Sequence, residues 1–410
     1  MNTIAVVASS DTKQAEIDFV SQQLTANGLR PLTIDTSTSK GHNSSSNISR
    51  EAVVEAAGHH WADIEDESRE FLLSAMADGA STLLAELQAN GQLQGALGLG
   101  GLQNTTVAAN AMQALPIGVP KIIVSTVACG TRTFDSVVGT SDIMVMPSIT
   151  DLAGLNPISE RILANSAAAV AGAVKAGGRP VEVAGLSLVG ATLMGATNDG
   201  VVHAMDELRD SGYSVVPFHA TGVGGQVLES LITAGSLSAV LDLTLHEIVY
   251  EYFGGGFGAG TDQRLIAAAE AGIPMVVAPG GLDFICQWRG ELFADAEERK
   301  YIWHNENLAH VKLTEKEARD VTRIVVGRLN RAKGPVTVLL PTRGLRTFAS
   351  VGGPLHDRVV DDAIIEEFQT GLSPRVRVAT VEANLNDREF SRAAASELNR
   401  LLLSDRVVSA

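Results

Sequence analysis

Cysteine is nearly missing from this chain. Its 410 residues contain two, Cys129 and Cys286, too few for a disulfide framework or a Cys-based zinc site. Both read as reduced thiols. Aromatic residues are sparse at 4% and are not interleaved with basic ones, so the pattern that stacks nucleic-acid bases is absent. Positive charge is in deficit, with 31 Lys+Arg against 47 Asp+Glu and a net charge of −16. A chain built to coat nucleic acid or an anionic membrane needs the opposite balance. Long apolar runs are missing too. The least polar stretches, residues 162–174 and 183–196, fall short of the ~20 residues of a membrane span. The opening MNTIAVVASSD has no basic n-region, so no secretory signal is expected. These absences predict a cytoplasmic protein with neither a nucleic-acid nor a membrane partner.

What is present is an ordinary globular composition, 45% hydrophobic and 19% charged, in a chain too long for one core, which stops growing near ~250–300 residues. Short apolar runs of strand length alternate with helical periodicities. Strands are predicted at 4–8, 31–35, 94–99, 121–125 and 142–147. After AGGRP at 176–180, a candidate hinge, the rhythm restarts with strands at 185–190, 214–218, 239–243, 273–278, 335–340 and 375–380. This alternation predicts two doubly wound, Rossmann-like α/β domains with mainly parallel sheets, residues 1–180 and 181–410.

Parallel α/β sheets bind ligands beyond the carboxyl ends of their strands. In the first half the polar loops to inspect are SSDTK at 9–13, GLGGLQNTT at 98–106, STVACG at 125–130 and GTSD at 139–142. The second is the most suggestive. Glycines allow close approach of an anion, a helix predicted over 105–115 offers unpaired amides, and Asn104, Thr105 and Thr106 add side-chain hydrogen bonds. Lys13 supplies a point charge suited to phosphate. Neither GxxxxGK[ST] nor GxGxxG is matched. Asp11 and Gln14 have capping-box-like spacing for the first helix. The polar stretch 36–47 is the longest loop-like segment, of the kind that is either functional or mobile.

In the second half, HATGVGG at 219–225 again joins strand to helix and suits an anion or a carboxylate; Thr221, Gly222, Gly224 and Gly225 are its candidate substrate contacts. Gly280, Gly281 and Asp283 end the next predicted strand and join that set. His219, Asp242 and Glu247 are the candidate acid–base residues, since such work needs an imidazole or carboxylate in a cleft. No His/Asp/Glu spacing reproduces a metal site, so no protein-held metal is expected, although Mg²⁺ can accompany a nucleotide. Cys286, among Phe284, Ile285 and Trp288, reads as buried filler.

Several ordered blocks carry a resemblance. They are SSDTK at 9–13, LGLGG at 97–101, LPIGVPKIIVSTVACG at 115–130 and GTSDIMVMPSITDLAGLN at 139–156, then FHATGVGGQ at 218–226, DLTLHE at 242–247, AGIPMVVAPGGLDF at 271–284 and WHN at 303–305. With them the chain resembles the family of the ATP-binding, inhibitory N-terminal region of the tomato mosaic virus resistance protein and its bacterial homologues. The resemblance implies two Rossmann-like domains, ATP binding and a homodimer. Carried onto matching positions, it implies nucleotide contacts at Asp11, Thr12, Lys13, Gly100, Gly101, Thr105, Ser125, Thr126 and Gly130. Two departures stand out. Leu102-Gln103-Asn104 replaces the Ser and Gly residues that usually follow the double glycine, which narrows the phosphate site. Asn384 stands where homologues tend to have His.

The leading expectation is a nucleotide-binding protein, with ATP as the cofactor and a small-molecule ligand in an interdomain cleft. Two alternatives stay open: a small-molecule hydrolase or transferase that does not use ATP, and a non-catalytic, ligand-responsive regulator.

Overall fold

The computed structural model describes residues 1–42, 44–128, 135–180, 188–256 and 258–408, with the side chains of 135, 136 and 405–408 left aside. The chain divides into two compact units, Met1–Glu182 and Val183–Ala410.

In the first unit five strands form one parallel sheet: β1 (Thr3–Ala8), β2 (Arg30–Asp35), β3 (Gly95–Gly100), β4 (Lys121–Ser125) and β5 (Met144–Pro147), ordered β2-β1-β3-β4-β5. The central strands β1, β3 and β4 are buried along their whole length because both faces are covered. Ile4, Val6 and Ala8 of β1 pack with Ile17, Val20, Leu24 and Leu163 on one side. Ala5 and Val7 pack with Met76, Leu84 and Met112 on the other. That alternation along one strand is the period of two that sends successive side chains to opposite faces.

The second unit repeats the plan. β6 (Leu188–Leu193), β7 (Ser214–His219), β8 (Ala239–Thr244) and β9 (Met275–Gly280) belong to its main sheet, and β10 (Phe284–Trp288), β11 (Tyr301–Trp303) and β12 (Leu308–Lys312) form a separate antiparallel sheet. With β13 (Val336–Pro341) and β14 (Arg377–Val381), the main sheet is parallel and ordered β14-β13-β9-β8-β6-β7. Both parallel sheets therefore share one order at their core. The second strand lies outside the first, and the chain reverses direction between first and third. The doubly wound α/β class is the fold.

Three sequence expectations are corrected. The antiparallel sheet was not foreseen, because its strands are short and carry His, Gln and Lys among their apolar residues. The helix expected over 105–115 begins earlier, at Leu102–Gln113 with Gly101 as its cap. The first helix, Ser10–Ala26, has Ser9 rather than Asp11 at its N-cap position, with no side-chain capping bond; Ser9 Oγ instead donates to Asp11 Oδ1 at 2.6 Å. The strand expected at 185–190 is observed from Leu188; its first three positions lie outside the described residues. Among the described residues no helix is long and apolar enough to cross a membrane.

Candidate functional site

In a sheet of this order the crevice opens where connections from neighbouring strands run in opposite directions, here between β1 and β3. A cavity of about 440 Å³ lies there, within the roughly 300–1,000 Å³ of small-molecule sites. Its walls bring together the β1 loop (Ser9, Asp11, Thr12, Lys13), the segment after β2 (Thr36, Thr38, Ser39), the helix start Gly101–Asn104 and Arg69 with Leu73.

The two helix starts at this cavity are not alike. Helix Ser10–Ala26 has already spent its first amides. Ser10 N donates to Asp35 Oδ1 at 3.0 Å, Asp11 N to Ser37 Oγ at 3.0 Å, and Lys13 N to the Ser9 carbonyl at 3.1 Å. It offers the cavity side chains instead. The buried Asp35 organises this by also accepting from Ser37 N and Ser37 Oγ. Helix Leu102–Gln113 has no side-chain cap. The first amide recorded as bonded there is Thr105 N, to the Gly101 carbonyl at 2.8 Å. No acceptor among the described residues takes the amides of Leu102, Gln103 or Asn104, three residues that line the cavity. Open amides at the positive end of a helix form an anion site.

Two cations flank it. Lys13 lines the cavity and, among the described residues, reaches only the Thr12 carbonyl, at 3.4 Å. Arg69 donates to Gln103 Oε1 at 2.5 Å. Asp11 is the acidic wall. Burial alone would raise its pKa, but hydroxyls of Ser39 and Ser9 and the nearby His42 outweigh that and hold it below the usual range. Among the described residues a Cβ at Gly101 would meet only Thr126 Oγ1, at 3.6 Å, an ordinary van der Waals contact. Gly100, at φ +148°, has no such room, because a Cβ there would lie 2.5 Å from that of Asn104.

Of the predicted nucleotide contacts, Asp11, Thr12, Lys13, Gly101 and Asn104 line the cavity. Gly100, Thr105 and Ser125 stand behind it, the last two buried and joined by a 2.7 Å hydroxyl–hydroxyl bond. Thr126 N donates to the Gly100 carbonyl. Cys129 and Gly130 lie outside the described residues. The loop at 139–142 does not belong to this edge. Asp142 is bound 2.6 Å from Lys121 at the start of β4, the amino end of the sheet. Arg69, Thr36, Thr38 and Ser39 were missed individually, although the segment at 36–47 had been singled out as a loop of possible function.

The second unit disposes of its polar residues differently. Arg264, fully buried, donates to Asp242 through Nη1 (2.6 Å) and Nη2 (2.7 Å), to Glu247 through Nε (2.7 Å), and lies 3.4 Å from Glu229. Burial pushes the Glu229 carboxyl up, against the pull of Arg264. Thr192 Oγ1 donates to Asp242 as well, at 2.7 Å. The glycine-rich loop does hold a carboxylate, as its composition suggested, but the carboxylate is internal. Gly222 N and Gly225 N donate to Glu247 Oε1 at 2.7 and 3.0 Å.

The three residues expected to do acid–base work lie in different surroundings. Asp242 and Glu247 are buried to 1% exposure or less; Arg264 and Thr192 engage the first, Arg264 and two backbone amides the second, so both are held within the core. His219 is exposed at the end of β7. The substrate contacts are redirected as well. Gly224 and Gly280 pack against the carbonyls of His219 and Leu243, the Gly281 carbonyl accepts from His246, and Asp283 is fully buried between Lys312 and Arg346. Thr221 N is bonded to the His219 carbonyl. Cys286 is buried, and burial pushes its thiol up to about 11 despite a bond from Tyr250. Among the described residues no group of three or more His, Cys, Asp or Glu side chains is placed to hold a metal ion.

The chain belongs to the uncharacterised protein family UPF0261: the family's N-terminal domain matches residues 2–178 and its C-terminal domain residues 187–402. A UPF0261 protein of Clostridium tetani is 33% identical over 404 residues, covering 97% of this chain and 98% of that one. The ToMV resistance protein Tm-1(GCR237) of Solanum lycopersicum is 33% identical over 340 residues, which are 81% of this chain and 44% of the tomato protein. Among solved structures, the UDP-GlcNAc 2-epimerase of Methanocaldococcus jannaschii, in complex with UDP-GlcNAc and UDP, is 9% identical, with 98% of this chain and 93% of that one covered at a TM-score of 0.21. A Streptomyces glycosyltransferase complexed with thymidine diphosphate is 11% identical, with 97% and 99% covered at a TM-score of 0.18. Likenesses this distant inform neither the site nor its ligand.

Proposed function

We propose that this UPF0261-family chain binds a nucleotide, ATP, in the cavity between β1 and β3. The observation that carries the reading is the open start of helix Leu102–Gln113, three amides without an acceptor among the described residues, on the wall of a 440 Å³ cavity flanked by Lys13 and Arg69. The amides hold a phosphate, and Lys13 and Arg69 neutralise further charge. Asp11, kept ionised, faces the Mg²⁺ that accompanies the nucleotide, and Thr12, Thr38 and Ser39 offer hydroxyls to the remainder. The net charge of −16 makes this local donor set decisive, since the overall field repels the ligand. The resemblance that implies ATP also implies a homodimer, and the reduced thiols suit a cytoplasmic setting. Both belong to the proposal. Turnover is not part of it.

Isothermal titration with ATP and Mg²⁺ tests it. Saturable binding is expected in the parent, and Gly101→Val should weaken it at least tenfold with the melting temperature unchanged, since among the described residues a Cβ there makes only an ordinary contact with Thr126. No saturable binding to the parent protein would overturn the reading.

A further inference from the structure

At the carboxyl edge of the second unit's main sheet, three buried side chains carry polar atoms that nothing among the described residues satisfies: Nη1 and Nη2 of Arg346, Nε2 of His246 and Nδ1 of His310. Arg346 and His246 are wholly buried and His310 is 5% exposed. His246 lies just past β8, Arg346 follows β13 and its partner Asp283 follows β9, the edge where such sheets take ligands. Phe284 is their common neighbour. The Arg346 guanidinium carbon is 3.8 Å from its ring centroid, the His246 ring stacks at 4.2 Å and the His310 ring sits tilted at 4.8 Å.

Each group states what it lacks. Arg346 Nε donates to both oxygens of Asp283, at 2.9 and 3.0 Å. The far end of the fork is left, and its two parallel N–H vectors match a carboxylate. A guanidinium end buried without acceptors is costly and uncommon. His246 Nδ1 lies 2.8 Å from the Gly281 carbonyl. A carbonyl only accepts, so Nδ1 carries the proton. Burial, with the charge of Arg346, pushes the ring down to about 4 despite that bond, so it is neutral at pH 7. Nε2 is then a bare acceptor that needs a donor. Arg346 asks for an anion and His246 for a hydroxyl.

We propose that the second unit binds a small hydroxy-carboxylate, its carboxylate on Nη1 and Nη2 of Arg346 and its hydroxyl donating to Nε2 of His246. The charge balance favours a monoanion. Asp283 is shared by Arg346 and Lys312, and Lys312 is also bonded to Asp361 at 2.9 Å. A phosphate dianion would bring a second negative charge beside these two carboxylates. Asn384 is a positioning residue here. Its buried amide donates to the Arg346 carbonyl at 3.2 Å and to Ser350 Oγ at 3.1 Å, bracing the loop that carries the guanidinium.

The test uses the full chain and two probes. Glycolate is the smallest molecule with both groups, and acetate lacks the hydroxyl. Glycolate should bind saturably, about tenfold more tightly than acetate, the effect of leaving one buried acceptor unpaired. Arg346→Lys keeps a cation facing Asp283 and removes the fork; it should lower glycolate affinity at least tenfold. His246→Phe keeps a ring against Phe284 and removes the acceptor; it should abolish the preference for glycolate while acetate still binds. Should Arg346→Lys fail to fold, the lost preference in His246→Phe decides the question. Absence of saturable glycolate binding to the parent, or undiminished binding or preference in the folded variants, would overturn the proposal.

Discussion

Each unit carries a glycine-rich strand-to-helix loop on a parallel sheet of the same core order, yet the two loops have opposite fates. In the second unit Gly222 and Gly225 hand their amides to Glu247, which Arg264 neutralises from behind. In the first, the amides past Gly101 stay open to a cavity and the nearby cations, Lys13 and Arg69, stand on its wall. One loop is closed by the chain's own carboxylate and the other is left for a ligand. A glycine-rich loop is therefore not evidence of a site until its amides have been accounted for. In the second unit the unsatisfied polarity has moved to Arg346 and His246.

The largest effect should come from emptying the closed loop's counter-charge. Arg264→Met leaves Asp242, Glu247 and Glu229 buried together without their cation. Loss of one partner from a buried network costs about 3–5 kcal/mol, and denaturant unfolding should show the second unit melting first. The next prediction sets the same substitution in both loops. In Gly225→Ala the new Cβ would lie 2.1 Å from Glu247 Oε2, and overpacking of this kind costs about 1–3 kcal/mol. In Gly101→Ala the methyl makes only an ordinary 3.6 Å contact with Thr126 among the described residues, so stability should hold within about 0.5 kcal/mol while nucleotide affinity falls. Equal stability losses in the two variants would erase the distinction between the loops.

A smaller effect concerns pH. Burial and the neighbouring Asp283 raise Asp361 to about 6, against the attraction of Lys312. A carboxyl that binds its proton more tightly folded than unfolded favours folding while protonated, and this contribution is lost as pH rises through about 6. Asp361→Asn should therefore be more stable than the parent at pH 7, by roughly 1–2 kcal/mol, with the gap closing below about pH 4. Thermal melts across that range check the sign, and a variant less stable at pH 7 would contradict it.

The central strands were legible because they are covered on both faces. Residues 4–8 and 121–125 are unbroken apolar stretches or nearly so, and β4 has the expected bounds. Asp11, Thr12, Lys13, Gly101 and Asn104 were legible as a set because strand-end loops of a doubly wound sheet must converge. Arg69 was not. It sits on a helix far along the chain from Lys13, and only the packing of that helix turns it toward the cavity. Asp242 and Glu247 misled for the complementary reason. A carboxylate past a strand end looks the same in sequence whether it faces a cleft or Arg264, itself 22 and 17 residues further on.

A crystal structure grown with ATP and Mg²⁺ tests the central claim most directly. The account predicts phosphate density against the amides of Leu102, Gln103 and Asn104, with Lys13 and Arg69 turned toward it. Nucleotide seated instead at the loop of Gly222 and Gly225, or a first-unit cavity empty of nucleotide at saturating ATP, would contradict it.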